Sequence, residues 1–336
     1  IAGEIRFLDT LIENIARHGF SDILLLAGHL GEAVEQRYDG STMRGASIRV
    51  IREQAPLGTG GALLGAQSCL DDVVLMTNGD SALDLNYLSL GAALDSADMG
   101  ILALRAVEDA SRFGRVDVAG SRIIAFHEKD ASHSGAALVS GGVYVLRRSV
   151  VDLIKSTPCS IETDIFPGLA GQGLLAAFPV GDVYFLDIGL PETLDKARRD
   201  GPRLMHRGAA FFDRDGTLNH DEGYTFRPED LRWCAGAIDA IRACNDAGLF
   251  VFVVTNQSGI ARGLYTTDQM HAFHARMQVE LARAGAHVDQ FYFSPFHAEG
   301  SLDHLAIANH PDRKPNPGML RRACTEWSID LDRSFL

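Results

Sequence analysis

Phe212-Asp213-Arg214-Asp215-Gly216-Thr217-Leu218 follows the apolar run at residues 209–212 without a break. A short apolar run that stops at an Asp-Gly pair reads as a buried strand delivering its end to a loop. In an extended chain, residues two apart point the same way, so Asp213 and Asp215 face one ligand at the carboxyl edge of a sheet. Paired carboxylates need a cation. They also divide phosphoryl chemistry between them: one attacks phosphorus, while the other gives a proton to the leaving oxygen and later takes one from water. A plain Asp-Gly turn with solvated acids has the same letters, and two further segments weigh against it.

The first is Val254-Thr255-Asn256-Gln257-Ser258-Gly259, which ends a second apolar run beginning at Phe250. Its hydroxyl, amide and open backbone N–H groups suit a phosphoryl oxygen. The second is Arg313-Lys314-Pro315, two cations suited to neutralising a phosphoryl group and the attacking aspartate. Around these segments the helical signals are regular. Ile238, Ile241 and Cys244 line a helix ended by Gly248, and Thr266 with Gln269 makes a capping box. Asn316-Pro317 supplies an N-cap and a first-turn proline for a last helix.

Toward the N-terminus, the basic stretch from Lys196 to Arg207 carries Gly201-Pro202 and has no apolar period, so residues 200–207 read as a linker. It separates a domain at 1–199 from one at 208–336. In the first, strand candidates at 23–27, 48–51, 73–77, 100–104 and 183–186 alternate with helical patterns. One helix carries Phe7, Leu8, Leu11, Ile12 and Ile15 and stops at Gly19, and residues 85–97 are similar. That alternation predicts a largely parallel sheet covered by helices. Glu53-Gln54-Ala55-Pro56-Leu57-Gly58-Thr59-Gly60-Gly61 places a glycine-rich turn before a helix, where backbone N–H groups can approach an anion or a base edge. Asp80 and Asp187 both close strand candidates, and two such aspartates can clamp one magnesium against nucleotide phosphates.

Composition narrows the partners. The 336 residues are 46% hydrophobic, enough for two ordinary cores, and no apolar run approaches the ~20 residues of a membrane span. A formal charge of -13 argues against nucleic acid and against a membrane surface, because phosphate-rich partners are met by a basic field. Five scattered cysteines without CxxC spacing suggest neither a disulfide framework nor a zinc ribbon, which fits the cytoplasm. The chain opens on Ile1 and closes on Asp332-Arg333-Ser334-Phe335-Leu336, which reads as the entry to another strand; a fragment at both ends is expected.

The stretch DRDGTLNHDEGY, with TNQSGIARG and RKPNPGML, resembles the haloacid-dehalogenase-like phosphatases, most of all the heptose bisphosphate phosphatases. The resemblance implies Asp213 as nucleophile, Asp215 as acid/base and Lys314 as transition-state stabiliser, with magnesium on Asp213 and Asp215. It places Thr255 and Asn256 on the phosphoryl group, and Asp221, Glu222, Gly223, Tyr224, Gln257, Ser258 and Arg313 on the substrate. Relatives commonly hold a structural zinc with Cys-x-His and Cys-x-Cys; those places read Ser294, Phe296, His310 and Asp312, so no zinc is expected. The family's final acidic motif would lie beyond Leu336.

The glycine turn and the two aspartates, taken with Arg112-Phe113-Gly114, Phe126-His127-Glu128-Lys129 and Ser140-Gly141-Gly142-Val143-Tyr144, resemble the sugar-1-phosphate nucleotidyltransferases, nearest the heptose-1-phosphate guanylyltransferase type. This implies magnesium on Asp80 and Asp187, sugar-phosphate contacts from Glu128, Lys129 and Gly142, and base contacts from Glu53 and from Gly58, Thr59 and Gly60. The family's opening signature would lie before Ile1. The expected fold is α/β: two Rossmann-like three-layer domains, a GT-A-like nucleotidyltransferase and then a capless phosphatase. The expected substrates are a sugar phosphate and a nucleoside triphosphate, with a place in lipopolysaccharide biosynthesis. Two other readings fit the same residues: a hexose-1-phosphate transferase joined to a histidinol-phosphate-like phosphatase, or a non-catalytic sugar-nucleotide sensor.

Overall fold

The structure is a computed structural model and describes residues 6–110, 114–127, 135–189, 191–200 and 202–336. The chain divides into two units, Ile1–Gly201 and Pro202–Leu336.

In the first unit, α1 (Phe7–Arg17) and α2 (Gly31–Tyr38) accompany a small sheet of β1 (Asp22–Ala27), β2 (Thr42–Met43) and β3 (Ala46–Arg52). Its order is β1-β3-β2, with β1 and β3 parallel. Then come α3 (Gly58–Gly65), β4 (Val73–Thr77), β5 (Ser81–Leu83), α4 (Tyr87–Ala92), β6 (Gly100–Val107), β7 (Arg115–Ala119), β8 (Arg122–His127) and β9 (Ala137–Arg147). The unit closes with α5 (Phe166–Gly171), β10 (Leu175–Val180), β11 (Phe185–Asp187) and α6 (Pro191–Asp200).

The main sheet has the order β4-β9-β6-β10-β8-β7. Side-chain alternation along it builds three layers. Leu102, Leu104, Tyr144 and Leu146 pack with Phe166 and Leu169 of α5 on one face. Ile101, Ala103, Val143 and Val145 pack with Tyr87 and Leu90 of α4 on the other. The expectation of a largely parallel sheet is corrected: among the described residues, the only parallel neighbours in this sheet are β6 and β10. The cause is the hairpin β7–β8, turned by Gly120-Ser121 with Gly120 at φ 60, followed by the long β9 running back between β4 and β6. Among the described residues β1 pairs only with β3, and β4 only with β9, so each keeps one side of its backbone unpaired.

The stretch expected to be a linker is largely helical. Arg198 and Arg199 fall in the last turn of α6, where cations favour the helix macrodipole, and α7 (Pro202–Met205) follows. Arg207 is buried, donates to the Leu204 and Gly248 carbonyls at 3.0 Å each, and its backbone bridges to Ile329.

The second unit adds β12 (Ala209–Phe212), α8 (Ala237–Asp246), β13 (Phe250–Asn256), α9 (Ser258–Ala261), α10 (Thr267–Arg283), β14 (Gln290–Ser294) and α11 (Gly318–Glu326). The strands are parallel in the order β12-β13-β14. Phe250, Phe252 and Val254 face α11 through Met319 and Ala323, whereas Val251 and Val253 face α8 and α10 through Ile241, Phe273 and Met277. Phe335 lies beside β12, its N–H donating to the Ala209 carbonyl and its carbonyl accepting from Phe211. The capping box forms as expected, with Thr266 and Gln269 bonded reciprocally. At α11 the expectation is off by one residue: Pro317 is the N-cap, and the Asn316 amide donates instead to Asn309 Oδ1 and the His310 carbonyl. No described helix is long and apolar enough to cross a membrane.

Candidate active sites

In the second unit the parallel strands deliver three loops to one sheet edge. Asp213 follows β12, Thr255 and Asn256 end β13, and Lys314 comes from the loop before α11. Lys314 Nζ lies 2.7 Å from Asp213 Oδ2 and also donates to the Val254 carbonyl at 2.9 Å. The Arg214 N–H donates to Asp213 Oδ1 at 2.8 Å. Asp213 stays 45% exposed, so it can meet a substrate. Thr255 is buried and accepts from Gln257 Nε2 at 2.8 Å, which leaves its hydroxyl hydrogen to be donated elsewhere.

Several expected substrate contacts serve the protein itself. Asn256 pairs with the Lys314 backbone in both directions, accepting its N–H at 3.0 Å and donating to its carbonyl at 3.2 Å. Its side chain therefore places the lysine. Gln257 is buried, donating to Asp215 Oδ2 at 2.7 Å and accepting from the Tyr265 hydroxyl at 2.7 Å. Asp221 accepts from the Gly223 and Thr225 N–H groups and the Thr225 hydroxyl, an Asx-type turn that shapes its own loop. That loop holds Tyr224 at φ 61, a left-handed conformation unusual for a bulky residue, and packs its ring close to Gly259. Tyr224, Glu222 and Ser258 remain accessible, while Arg313 donates to the Phe296 carbonyl at 2.9 Å.

For a cation, Asp213 fits, being an exposed carboxylate at the strand edge. The Asp215 carboxylate is engaged by protein donors. Arg214 Nε and Asn219 Nδ2 donate to its Oδ1 at 2.9 and 3.3 Å, and Arg214 Nη2 and Gln257 Nε2 to its Oδ2 at 2.9 and 2.7 Å. At the positions compared with a zinc site, Ser294 is fully buried, Phe296 stacks on His310 at 3.5 Å, and Asp312 pairs with Arg322 at 3.0 Å. That set holds no thiolate.

In the first unit, β5 and β11 pair so that Asp187 sits opposite Ser81, and the Ile188 N–H donates to the Asp80 carbonyl. The two carboxylates converge over Gly189: a Cβ built there would lie 3.1 Å from Asp187 Oδ1 and 3.8 Å from Asp80 Oδ2. Two acids sharing one space fit a divalent cation. Gly142, at φ 71, is pressed against Asn78, whose side chain a Cβ there would meet at 2.8 Å. This brings the expected sugar-binding strand next to the strand end that carries Asp80.

The glycine turn is held from inside. The Gly60 and Gly61 N–H groups donate to the Cys159 carbonyl, and a side chain at Gly58, which has φ 75, would run into the same carbonyl. The Thr59 hydroxyl accepts from the Ile161 N–H at 3.0 Å. The Gly60 N–H is thereby used within the protein, while Thr59 stays exposed. Glu53 Oε2 accepts from the Leu57 N–H at 3.2 Å and borders a cavity of about 280 Å³ lined also by Leu26, Ile51, Gln54 and Ala62. Glu128 and Lys129, with Arg112 and Phe113, lie outside the described residues.

Residues 1–201 match the nucleotidyl transferase family, and residues 209–335 match the polynucleotide kinase 3 phosphatase family. The D-glycero-beta-D-manno-heptose-1,7-bisphosphate 7-phosphatase of Rhodopseudomonas palustris is 45% identical over 130 residues, 39% of this chain and 72% of that protein. The D-glycero-D-manno-heptose-1,7-bisphosphate 7-phosphatase of Thermosynechococcus vestitus is 44% identical over 139 residues, 39% of this chain and 69% of that protein. The chain belongs to the nucleotidyl transferases and, in its second unit, to the heptose-bisphosphate 7-phosphatases. The transferase unit is also similar to the crystal structure of HddC from Yersinia pseudotuberculosis complexed with GMP-PN, with a TM-score of 0.51 and 26% identity over 58% of this chain and 85% of that one.

Three residues of the phosphatase unit that sequence reasoning left without a role now have one: Arg214, Tyr265 and Asn219 all support the Asp215–Gln257 pair. In the transferase unit the missed pair is Tyr144 and Glu162, hydrogen-bonded to each other beside Ser140. Burial and the Glu162 charge push the Tyr144 phenol well above its usual value, so it stays a donor. Glu162 sits on a single π-type turn, Ile161–Ile165, a feature that often accompanies functional sites.

Proposed function

We propose that the phosphatase unit removes the 7-phosphate of heptose 1,7-bisphosphate, and that the transferase unit passes a GMP group from GTP to the heptose 1-phosphate left behind. The observation that carries the first step is Lys314 Nζ at 2.7 Å from Asp213 Oδ2. Asp213 attacks phosphorus, Lys314 neutralises the charge that grows on the phosphoryl oxygens, and Asp215 protonates the departing sugar oxygen. The Thr255 hydroxyl donates to the phosphoryl group, and Tyr224, Ser258 and Arg313 orient the sugar.

Magnesium would be held by Asp213 in one unit and by Asp80 with Asp187 in the other, where it supplies charge neutralisation to phosphate oxygens. In the transferase unit, Gly142, Glu128 and Lys129 receive the sugar phosphate, and Glu53 accepts from the N1–H and N2–H groups that guanine presents together. Both activities draw on small phosphorylated metabolites of the cytoplasm, and their product suits lipopolysaccharide assembly.

The transferase needs its phosphate on the anomeric carbon, because that oxygen attacks the nucleotide. A joined phosphatase that hydrolysed it would destroy its neighbour's substrate. Phosphorus NMR of the full-length protein acting on heptose 1,7-bisphosphate tests this: the anomeric resonance should persist while the 7-phosphate becomes inorganic phosphate. Survival of the 7-phosphate resonance would reverse the assignment.

A further inference from the structure

Between Asp213 and Asp215, the Arg214 side chain turns into the protein, where it is fully buried. A guanidinium out of water is costly unless its donors are met. Here they are met by Asp215, the Thr225 carbonyl and His274. Nε and Nη2 hold the two oxygens of Asp215 at 2.9 Å each. Nη2 also reaches the Thr225 carbonyl at 2.8 Å, Nη1 lies 3.1 Å from His274 Nε2, and the Phe273 ring lies 4.8 Å from the guanidinium carbon. Burial, with the Arg214 charge beside it, holds the His274 pKa well below the ordinary value, so the neutral ring accepts from Nη1.

The second clamp on Asp215 comes through Gln257. Its Nε2 donates both to Asp215 Oδ2 and to Thr255 Oγ1, and the Tyr265 hydroxyl, donating to Oε1, decides which end of the amide faces them. The carboxyl group is thus held by Gln257 at Oδ2 and by Arg214 at both oxygens, with Nη2 2.8 Å from Oδ1 and 2.9 Å from Oδ2.

We propose that Arg214 is a positioning residue for proton transfer, holding Asp215 in the plane and direction from which its carboxyl reaches the leaving sugar oxygen. The inference rests on Asp215 being the acid of the proposed phosphatase reaction. In that step a bond forms between an Asp213 oxygen and phosphorus while the bond from phosphorus to the sugar oxygen breaks. The electron pair of the broken bond stays on the sugar oxygen, which takes the proton from Asp215. Arg214 exchanges neither electrons nor protons; it sets the angle.

The leaving group separates this role from a structural one. Heptose 1,7-bisphosphate expels an alkoxide that needs the proton, whereas 4-nitrophenyl phosphate expels a stabilised anion that does not. Leaving-group release should be timed in the first turnover of the full-length protein, before hydrolysis of the phosphorylated aspartate. Arg214→Lys, which keeps charge and loses the fork, should slow release from the heptose substrate by about a hundredfold or more and from the aryl substrate by less than about tenfold. Equal losses on the two substrates, or no loss on either, would overturn the proposal.

Should Arg214→Lys fail to fold, Tyr265→Phe decides by the same ratio, since it frees the Gln257 amide without touching the buried charge. Asp215→Asn is the reference. If it shows no preference between the substrates, the acid assignment itself fails. If it does and the other variants do not, only the positioning role fails.

Discussion

Asp213 meets two donors of different kinds, the Lys314 ammonium at 2.7 Å and the Arg214 N–H at 2.8 Å. Asparagine would keep the shape and lose the nucleophile. Asp213→Asn is therefore expected to cut phosphate release by at least about a thousandfold, read as inorganic phosphate from heptose bisphosphate. His274 gives a pH dependence of stability. Unfolded, it takes up a proton near its ordinary value of 6.5, whereas folded it stays neutral to a lower pH, because burial and Arg214 disfavour its charge. Below that value the unfolded chain binds more protons, so this contribution is present above pH 6.5 and lost as the pH falls. Thermal melts from pH 7.5 to 5.5 should show a falling Tm, and His274→Gln should flatten the slope. At this scale Asp213 and Lys314 were legible, because the chemistry demands a carboxylate at a strand end and a cation opposite it. Asn256 and Gln257 were not. Whether a polar side chain faces a ligand or a neighbour depends on how the loop closes, and a loop has no period to read.

The short helix α9 begins the segment that packs against Tyr224 and Tyr265. A methyl group on Gly259 would run into the Tyr265 ring and come within 2.9 Å of Tyr224. Gly259→Ala should therefore destabilise the phosphatase unit by about 1–3 kcal/mol in urea titration and raise the KM for heptose bisphosphate. Elements were legible where one pattern dominated. The apolar runs at β12 and β13 are buried on both faces, and β4 was bounded at both ends. The strands β7 and β8 were missed because Val116-Asp117-Val118 and the residues after Gly120-Ser121 alternate too briefly to stand out. The Gly-Ser pair between them was the available hairpin signal. The last helix was placed one residue early, since Asn316 had a better partner in the loop than in the helix end.

For the whole molecule, two units with separate cores and separate acid pairs should lose their activities independently. Asp80→Asn is expected to stop pyrophosphate release and to leave phosphate release within about twofold, while Asp213→Asn does the reverse. Loss of both activities in one folded variant would contradict two separate sites. The division into two α/β units was legible from the repeated alternation of apolar runs and helical patterns. The mixed sheet was not, because strand direction is set by connections that periodicity does not encode.

The unpaired sides of β1 and β4 carry a further consequence. Asp-Ile-Leu-Leu-Leu-Ala and Val-Val-Leu-Met-Thr are short, apolar and rich in branched residues, and each presents a row of N–H and C=O groups without a partner strand among the described residues. Such a row is a template for aggregation. Light scattering from this 336-residue chain should rise with protein concentration, and Val73→Lys, at a position 43% exposed, should suppress the rise. An extended peptide that pairs with either edge should suppress the rise as the lysine does.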